Sequence, residues 1–361
     1  MAPLFEAVPN FSAGADPALV RDLLGTGALD QHADTRHDRS VVTLVETDGA
    51  RLRAALLERV GIACDRIDIR SHRGLHPRLG AADVLPVIPL WHASMEQARS
   101  IARQLAEDTW TRYRIPVWFY GDLGRGRRLA DLRRATVPPP FDVGDRLHPT
   151  AGACCVGARP PLVAYNVLLR RPRAEVSAIL PRLRALPGVQ AVTFPLPDGR
   201  IQLSTNLTRP EEAGVADLTT AVVAMLGEAG EPELVGLCPA AAAGPGCDGG
   251  LLEARLVSFA ARLLAHRCRE AGGGERRGMG LRLERRATEI AATPFTAGAM
   301  LAAAEEAVAF LRLLPALGIQ DETAEACLRA GAEGLRQAID SGALATHRER
   351  IVLLDRWLAV V

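Results

Sequence analysis

From Val163 to Leu237 the chain runs strand, helix, strand, strand, helix, strand, an order that few folds accept. Val163 to Leu169 has the β-branched, apolar run of a strand, and Arg173 to Leu186 has helical spacing interrupted at Pro181. Val189 to Pro195 and Arg200 to Asn206 flank Pro197, Asp198 and Gly199, a hairpin signal. Gly214 to Gly227 reads as a second helix and Leu234 to Leu237 as a last short strand. That succession is the split βαβ, ferredoxin-like order.

The segments on either side have different characters. Upstream, strand signals at Leu4 to Val8, Leu29 to Thr35, Ser40 to Val45, Ile67 to Ile69, Val84 to Pro89 and Ile115 to Tyr120 alternate with helices at Pro17 to Leu24, Ala50 to Val60 and Met95 to Thr109. Asp16 can cap the first helix, and Pro17 sits where a helix tolerates proline. This alternation indicates an α/β or α+β sandwich. Downstream, Ala240 to Gly250 has the composition of a flexible linker. Beyond it Leu251 to Arg269, Leu281 to Ala292, Thr296 to Leu314, Thr323 to Gly342 and Arg348 to Leu358 all carry helical spacing. The chain therefore reads as α+β, with units at 1–161 and 162–240, a linker at 241–250 and an all-helical unit at 251–361.

Composition narrows the function classes. A net charge of +1 over 361 residues gives no reason to expect nucleic acid or an anionic membrane as partner. Aromatic residues at 4% leave few platforms for stacking bases. Seven cysteines without a CxxC pair argue against a metal cage or disulfide framework and suggest a reducing cytoplasm. The N-terminus lacks the pattern of a secretory signal, and no run of about twenty apolar residues is present to span a membrane.

The chemistry concentrates in Ser71 to Asp83, where two histidines, two arginines, a proline and two glycines occupy one loop between apolar runs. Histidine exchanges a proton near neutral pH. Without clustered Cys or carboxylates, the set suits acid/base and anion-binding work better than metal binding. Three further loops are unusually polar: Val8 to Gly14, Asp30 to Ser40, and Phe141 to Ala153 running on to Arg159. His32, His37 and Asp34 are one conceivable metal set. Alternation along a strand, however, puts His32 and Asp34 on one face and His37 in the turn, which favours structural hydrogen bonding. Taken alone, a His-Pro pair is more often a capped turn than a catalyst. His92, His266 and His347 read as solvated.

These four loops, with Ser204 to Thr208 and Glu233 to Pro239, resemble in order the glutamate formimidoyltransferase domain of histidine catabolism, over about residues 4 to 239. The resemblance implies transfer of a formimidoyl group from N-formimidoyl-L-glutamate to N5 of tetrahydrofolate, the folate acting as co-substrate. It also implies two ferredoxin-like subdomains with folate in a cleft between them, and a homodimer. His76 falls on the family's catalytic histidine. The folate-contacting loop falls on Gly144, Asp145, Arg146, Leu147, His148, Pro149, Thr150, Ala151 and Gly152, with Arg159 beyond it. Both substrates carry carboxylates, for which Arg39, Arg73, Arg78 and Arg159 are suitable clamps. His32 and Asp34 are candidate substrate contacts, Asp34 by orienting an imidazole or pairing with the amidine. His72 either touches substrate or fastens its loop, and contact of His148 with folate is equally open. The arginines between Tyr120 and Phe141, at 125, 127, 128, 133 and 134, read as a wet loop or as steering for polyglutamylated folate.

Ala13 and Leu75 stand where the family has Glu, and Asp38 where it has Asn. Those changes leave two alternatives open: a weakened folate-binding paralogue, and formyl transfer from N-formyl-glutamate. Ala287 to Phe295 resembles a late part of the fused cyclodeaminase domain, without that domain's glycine-rich segment. The tail is therefore expected to be helical packing without cyclodeaminase chemistry.

Overall fold

The computed structural model describes residues 1–135, 138–341 and 358, so His347 and most of the helix expected over Arg348 to Leu358 lie outside the described residues. The chain divides into two compact units, Met1–Pro160 and Pro161–Val361. The fold is α+β.

The first unit is one mixed sheet covered by helices. Its strands are β1 (Leu4–Ala7), β2 (Asn10–Phe11), β3 (Ala28–Asp34), β4 (Arg39–Glu46), β5 (Ala82–Trp91), β6 (Val117–Gly121) and β7 (Cys154–Ala158). The helices are α1 (Pro17–Leu24), α2 (Gly49–Arg66), α3 (Met95–Tyr113) and α4 (Leu129–Arg134). β1 and β2 are two segments of one line, each pairing with both β4 and β5. Pro9, which has no N–H to give a ladder, falls in the break between them. Counting that line as one strand, β3, β4, β1/β2 and β5 have the ferredoxin-like neighbour order, antiparallel throughout. β7 and then β6 extend the sheet beyond β5 in parallel.

Local chemistry sets the helix ends. Asp16 accepts from the N–H groups of Ala18 and Leu19 at 2.9 and 3.1 Å, and Asp48 does the same for Ala50 and Arg51 at α2. Ser94 and Gln97 form a reciprocal capping box on α3. The buried Arg59 of α2 donates to the carbonyls of Leu23 and Leu24, satisfying the end of α1. Leu52, Leu56, Leu57 and Val60 of α2 and Ile101, Leu105 and Ala106 of α3 pack with Phe5, Val42, Leu85 and Val87 of the sheet. Ile67 to Ile69, expected as a strand, is not one. α2 continues to Arg66, its buried face passing through Val60 and Ala63 to the buried Ile67 that caps it, and Ile69 N–H donates to Thr150 O at 2.9 Å.

The second unit opens with β8 (Val163–Leu169), α5 (Arg173–Ala178), α6 (Leu180–Leu183), β9 (Val189–Pro195), β10 (Ile201–Leu207), α7 (Val215–Leu226) and β11 (Glu231–Val235). The sheet order β11, β8, β10, β9 is the ferredoxin-like one, all antiparallel. Pro181 splits the expected helix into α5 and α6. Four helices follow: α8 (Leu252–Glu270), α9 (Gly274–Ala291), α10 (Ala297–Leu317) and α11 (Glu322–Ser341). α9 starts seven residues before the expected Leu281, through a polar stretch with no apolar period to announce it.

Residues 240–250 differ from the flexible spacer that their composition suggests. Cys247 is fully buried, Tyr165 Oη donates to Pro245 O at 2.9 Å, and Cys238 exchanges backbone bonds with Gly250 and Leu252. Small residues serve here for close packing. Ala240 N–H donates to Glu253 Oε2 at 2.8 Å, and the surrounding burial pushes the Glu253 carboxyl up to about 7. A raised carboxyl pKa favours the fold below the unfolded value and loses that contribution as pH rises through about 7. Glu253→Gln is therefore expected to stabilise the protein at pH 8 by roughly 3 kcal/mol, at 1.36 kcal/mol per pKa unit, with little effect near pH 4. Denaturant midpoints at the two pH values check this.

Candidate active site

The antiparallel register brings three strand ends together. Phe11, at the end of β2, pairs with Ser40 on one side and Ala82 on the other. Arg39 therefore enters from β4 and Asp83 from β5 at the same edge of the sheet. The loops preceding those two strands close over this edge. Phe11, Ser12, His37, Asp38, Arg39, His76, Arg78 and Asp83 line a narrow cleft, partly open to solvent.

The loops are fitted tightly to one another. A Cβ on Gly74 would lie 2.1 Å from His37 O, so only glycine permits the 71–80 loop to rest on the 34–39 turn. His72 accepts from Gly74 N–H at Nδ1 (3.2 Å), which leaves Nε2–H to donate to Asp38 O and Oδ2 at 2.9 and 3.1 Å. Asp38 in turn accepts from the N–H groups of Gly14 and Ala15. Three loops thus meet on Asp38, and His72 fastens its loop.

His76 sits edge-on to His37, ring centroids 6.0 Å apart. Burial, the guanidiniums of Arg39 and Arg133 and the His37 ring hold its pKa far down, at about 2, against the Pro77 backbone acting the other way. The imidazole is therefore neutral over the whole physiological range. Arg39 donates to Asn10 Oδ1, while its Nε is sealed from solvent with no hydrogen-bond partner. Burial brings its pKa down to about 10. Arg78 donates to the carbonyls of Gly74 and His76, holding the loop's turn. Asp83 is buried, accepts from Leu79 N–H at 2.6 Å and pairs with Arg133 of α4.

Other expected residues lie apart from this cleft or are occupied. Asp34 accepts from the N–H groups of Arg36 and His37 and from the Arg36 side chain. Burial works to raise its pKa, and those bonds outweigh it, leaving the carboxyl lowered. His32 pairs with Val41 in the β3–β4 ladder and does not line the cleft. Arg73 is exposed, donating to the carbonyls of Arg70 and His72. In the 144–152 loop, Asp145, Arg146 and Leu147 are exposed, Leu147 to 59%. Its far end returns to the His76 loop: Ala81 N–H donates to Ala151 O, and Gly152, at φ +73°, lies directly against Leu79 O. His148 caps that turn by accepting from Ala151 N–H at 2.9 Å, with Nε2 3.8 Å from Cys64 Sγ. Arg159 donates to Pro160 O.

Sequence reasoning overlooked Asn10, Ser12, Asp83 and Arg133. The first three stood in loops already marked as polar. Arg133 gave no signal, because its Arg-rich neighbourhood reads as wet surface. Among the described residues no group of three or more His, Cys, Asp or Glu is arranged to hold a metal, and no helix is long and apolar enough to cross a membrane.

Residues 4–159 match the model of the formiminotransferase domain's N-terminal subdomain. Glutamate formimidoyltransferase of Streptococcus pyogenes serotype M1 is 35% identical over 198 residues, 49% of this chain and 66% of that one. The enzyme of the same name from Thermoplasma acidophilum is 33% identical over 268 residues, 65% of this chain and 88% of that one. Chicken formimidoyltransferase-cyclodeaminase is 30% identical over 275 residues, and the match spans 51% of its length. The chain belongs to the glutamate formimidoyltransferase family.

Proposed function

We propose that the protein transfers a formimidoyl group from N-formimidoyl-L-glutamate to N5 of tetrahydrofolate, a step of histidine degradation, with His76 moving the proton. The observation that carries this reading is a neutral imidazole in a cleft that also holds a guanidinium without a carboxylate partner. N5 attacks the formimidoyl carbon and a C–N5 bond forms. The N5 proton passes to His76, which delivers it to the glutamate nitrogen as the old C–N bond breaks. The products are 5-formimidoyl-tetrahydrofolate and glutamate. Arg39 and Arg78, facing the cleft, serve the anionic donor. The exposed Asp145, Arg146 and Leu147, with Arg159, are available to the folate. Seven free cysteines suit a cytoplasmic setting.

Purified protein mixed with tetrahydrofolate and equal amounts of N-formimidoyl- and N-formyl-L-glutamate tests this reading. Formation of 5-formimidoyl-tetrahydrofolate in preference to 5-formyl-tetrahydrofolate is expected. Preference for the formyl donor, or folate binding with no product, would refute it.

A further inference from the structure

The charges around His76 do not balance. Asp83 is paired with Arg133 and Asp34 with Arg36, while Asp38 accepts from the neutral His72 imidazole and its charge acts on Arg78. Arg39 and Arg78 have no ion-pair partner among the described residues; their bonds go to a neutral amide and to carbonyls. A buried guanidinium outside any ion pair is costly, and burial together with this neighbouring cation keeps the imidazole from accepting a proton. General bases work best when their pKa lies near the operating pH, so a group that offsets the neighbouring cation would strengthen this one. The group that fits Arg39 in this way is an anion.

The chemistry of the two substrates decides which anion it is. In N-formimidoyl-L-glutamate the α-carboxylate is separated from the reacting carbon only by the nitrogen and the α-carbon. In a folate, the glutamate carboxylates lie beyond the benzoyl ring, far from N5. A carboxylate close enough to serve the base at the reacting carbon therefore belongs to the donor. Resting on the transfer reading above, we propose that Arg39 seats the donor's α-carboxylate beside His76, and that this carboxylate is the counter-charge that makes the imidazole basic. Asp83 and Arg133 are then positioning residues that fix Arg39 and the floor of the cleft. The groups facing His76 are His37 and Asp38 from the turn before β4, Arg39 from β4, Arg78 from its own loop, Asp83 from β5 and Arg133 from α4. Any of these that titrates without donor present contributes to the baseline, so the baseline is measured first. The base is strengthened by the molecule it acts on.

The experiment follows the His76 imidazole by NMR in the wild-type protein, assigned with His76→Asn, and uses unreactive donor analogues. N-acetyl-L-glutamate and its γ-amide, N-acetyl-L-glutamine, are expected to raise the His76 midpoint by about one pH unit or more. The α-amide, N-acetyl-L-isoglutamine, and p-aminobenzoyl-L-glutamate, the folate tail, are expected to leave it in place. Arg39→Gln should weaken N-acetyl-L-glutamate binding at least ~10-fold and raise the ligand-free midpoint, because a neighbouring cation is gone. A midpoint that does not move with N-acetyl-L-glutamate, or moves equally with the α-amide, overturns the proposal. An equal shift with the folate tail assigns the seat to folate and overturns it as well. No turnover is needed for these readings. A protein that shows the shift yet transfers nothing contradicts the transfer reading alone, and one that transfers without the shift contradicts this inference alone.

Discussion

His76→Asn is expected to lower kcat for formimidoyl transfer by roughly 10²–10⁴, the usual contribution of a positioned acid/base group. Asparagine can occupy the ring's place and still hydrogen-bond, but it cannot carry the N5 proton to the glutamate nitrogen. The backbone carbonyl of residue 76, which accepts from Arg78, is unchanged by the substitution. Donor-analogue binding should therefore stay within a few-fold of wild type, and single-turnover rates separate the two effects. A stability signature accompanies the loss. With its folded pKa at about 2 and an unfolded value near ~6.5, wild-type His76 binds a proton more readily in the unfolded chain across that interval. Wild type thus loses stability as pH falls through that range, and His76→Asn is expected to resist acid unfolding better. Equal acid midpoints would show that the imidazole is not held neutral.

Asp83→Asn is expected to cost about 3–5 kcal/mol of stability, the usual consequence of deleting one member of a buried ion pair. The substituted amide can still accept from Leu79 N–H, but Arg133 would be left without its carboxylate partner. Transfer activity should fall with stability, because the same carboxylate helps fix the cleft. Arg133→Met added to Asp83→Asn removes the stranded cation, and the pair of changes should recover much of the lost stability. A double-mutant cycle in denaturant measures this coupling. Additive losses would mean that the two side chains act independently.

Much of the fold was legible because its elements announce themselves locally. Asp16 and Pro17 mark a helix start, Pro197 to Gly199 marks a hairpin, and Val163 to Val235 carries the strand and helix order of a ferredoxin-like unit. The failures have physical causes. Ile67 to Ile69 is apolar and β-branched, yet the buried face of α2 runs up to it, and packing overrode propensity. Ala240 to Gly250 looks like a spacer because composition does not reveal whether small residues are solvated or pressed against a sheet.

His76, Arg39 and Arg78, which line one cleft, stand out in the sequence because they share polar loops that their local structure does not require. Asp34 and His148 looked like ligands, whereas their side chains cap turns, a role that sequence does not distinguish from binding. Arg133 was invisible, since its significance comes from a pairing fifty residues distant with Asp83. The departure at Asp38 acquires a meaning only in three dimensions, where its carboxylate joins His72 to the 14–15 backbone.

The claim that an imidazole at position 76 carries the transferred proton is tested most directly by chemical rescue. His76→Ala should be nearly inactive in forming 5-formimidoyl-tetrahydrofolate. Free imidazole, entering the space left by the ring, should restore turnover in proportion to its concentration, and it should have no effect on wild type. A variant that retains wild-type turnover without imidazole would contradict the account.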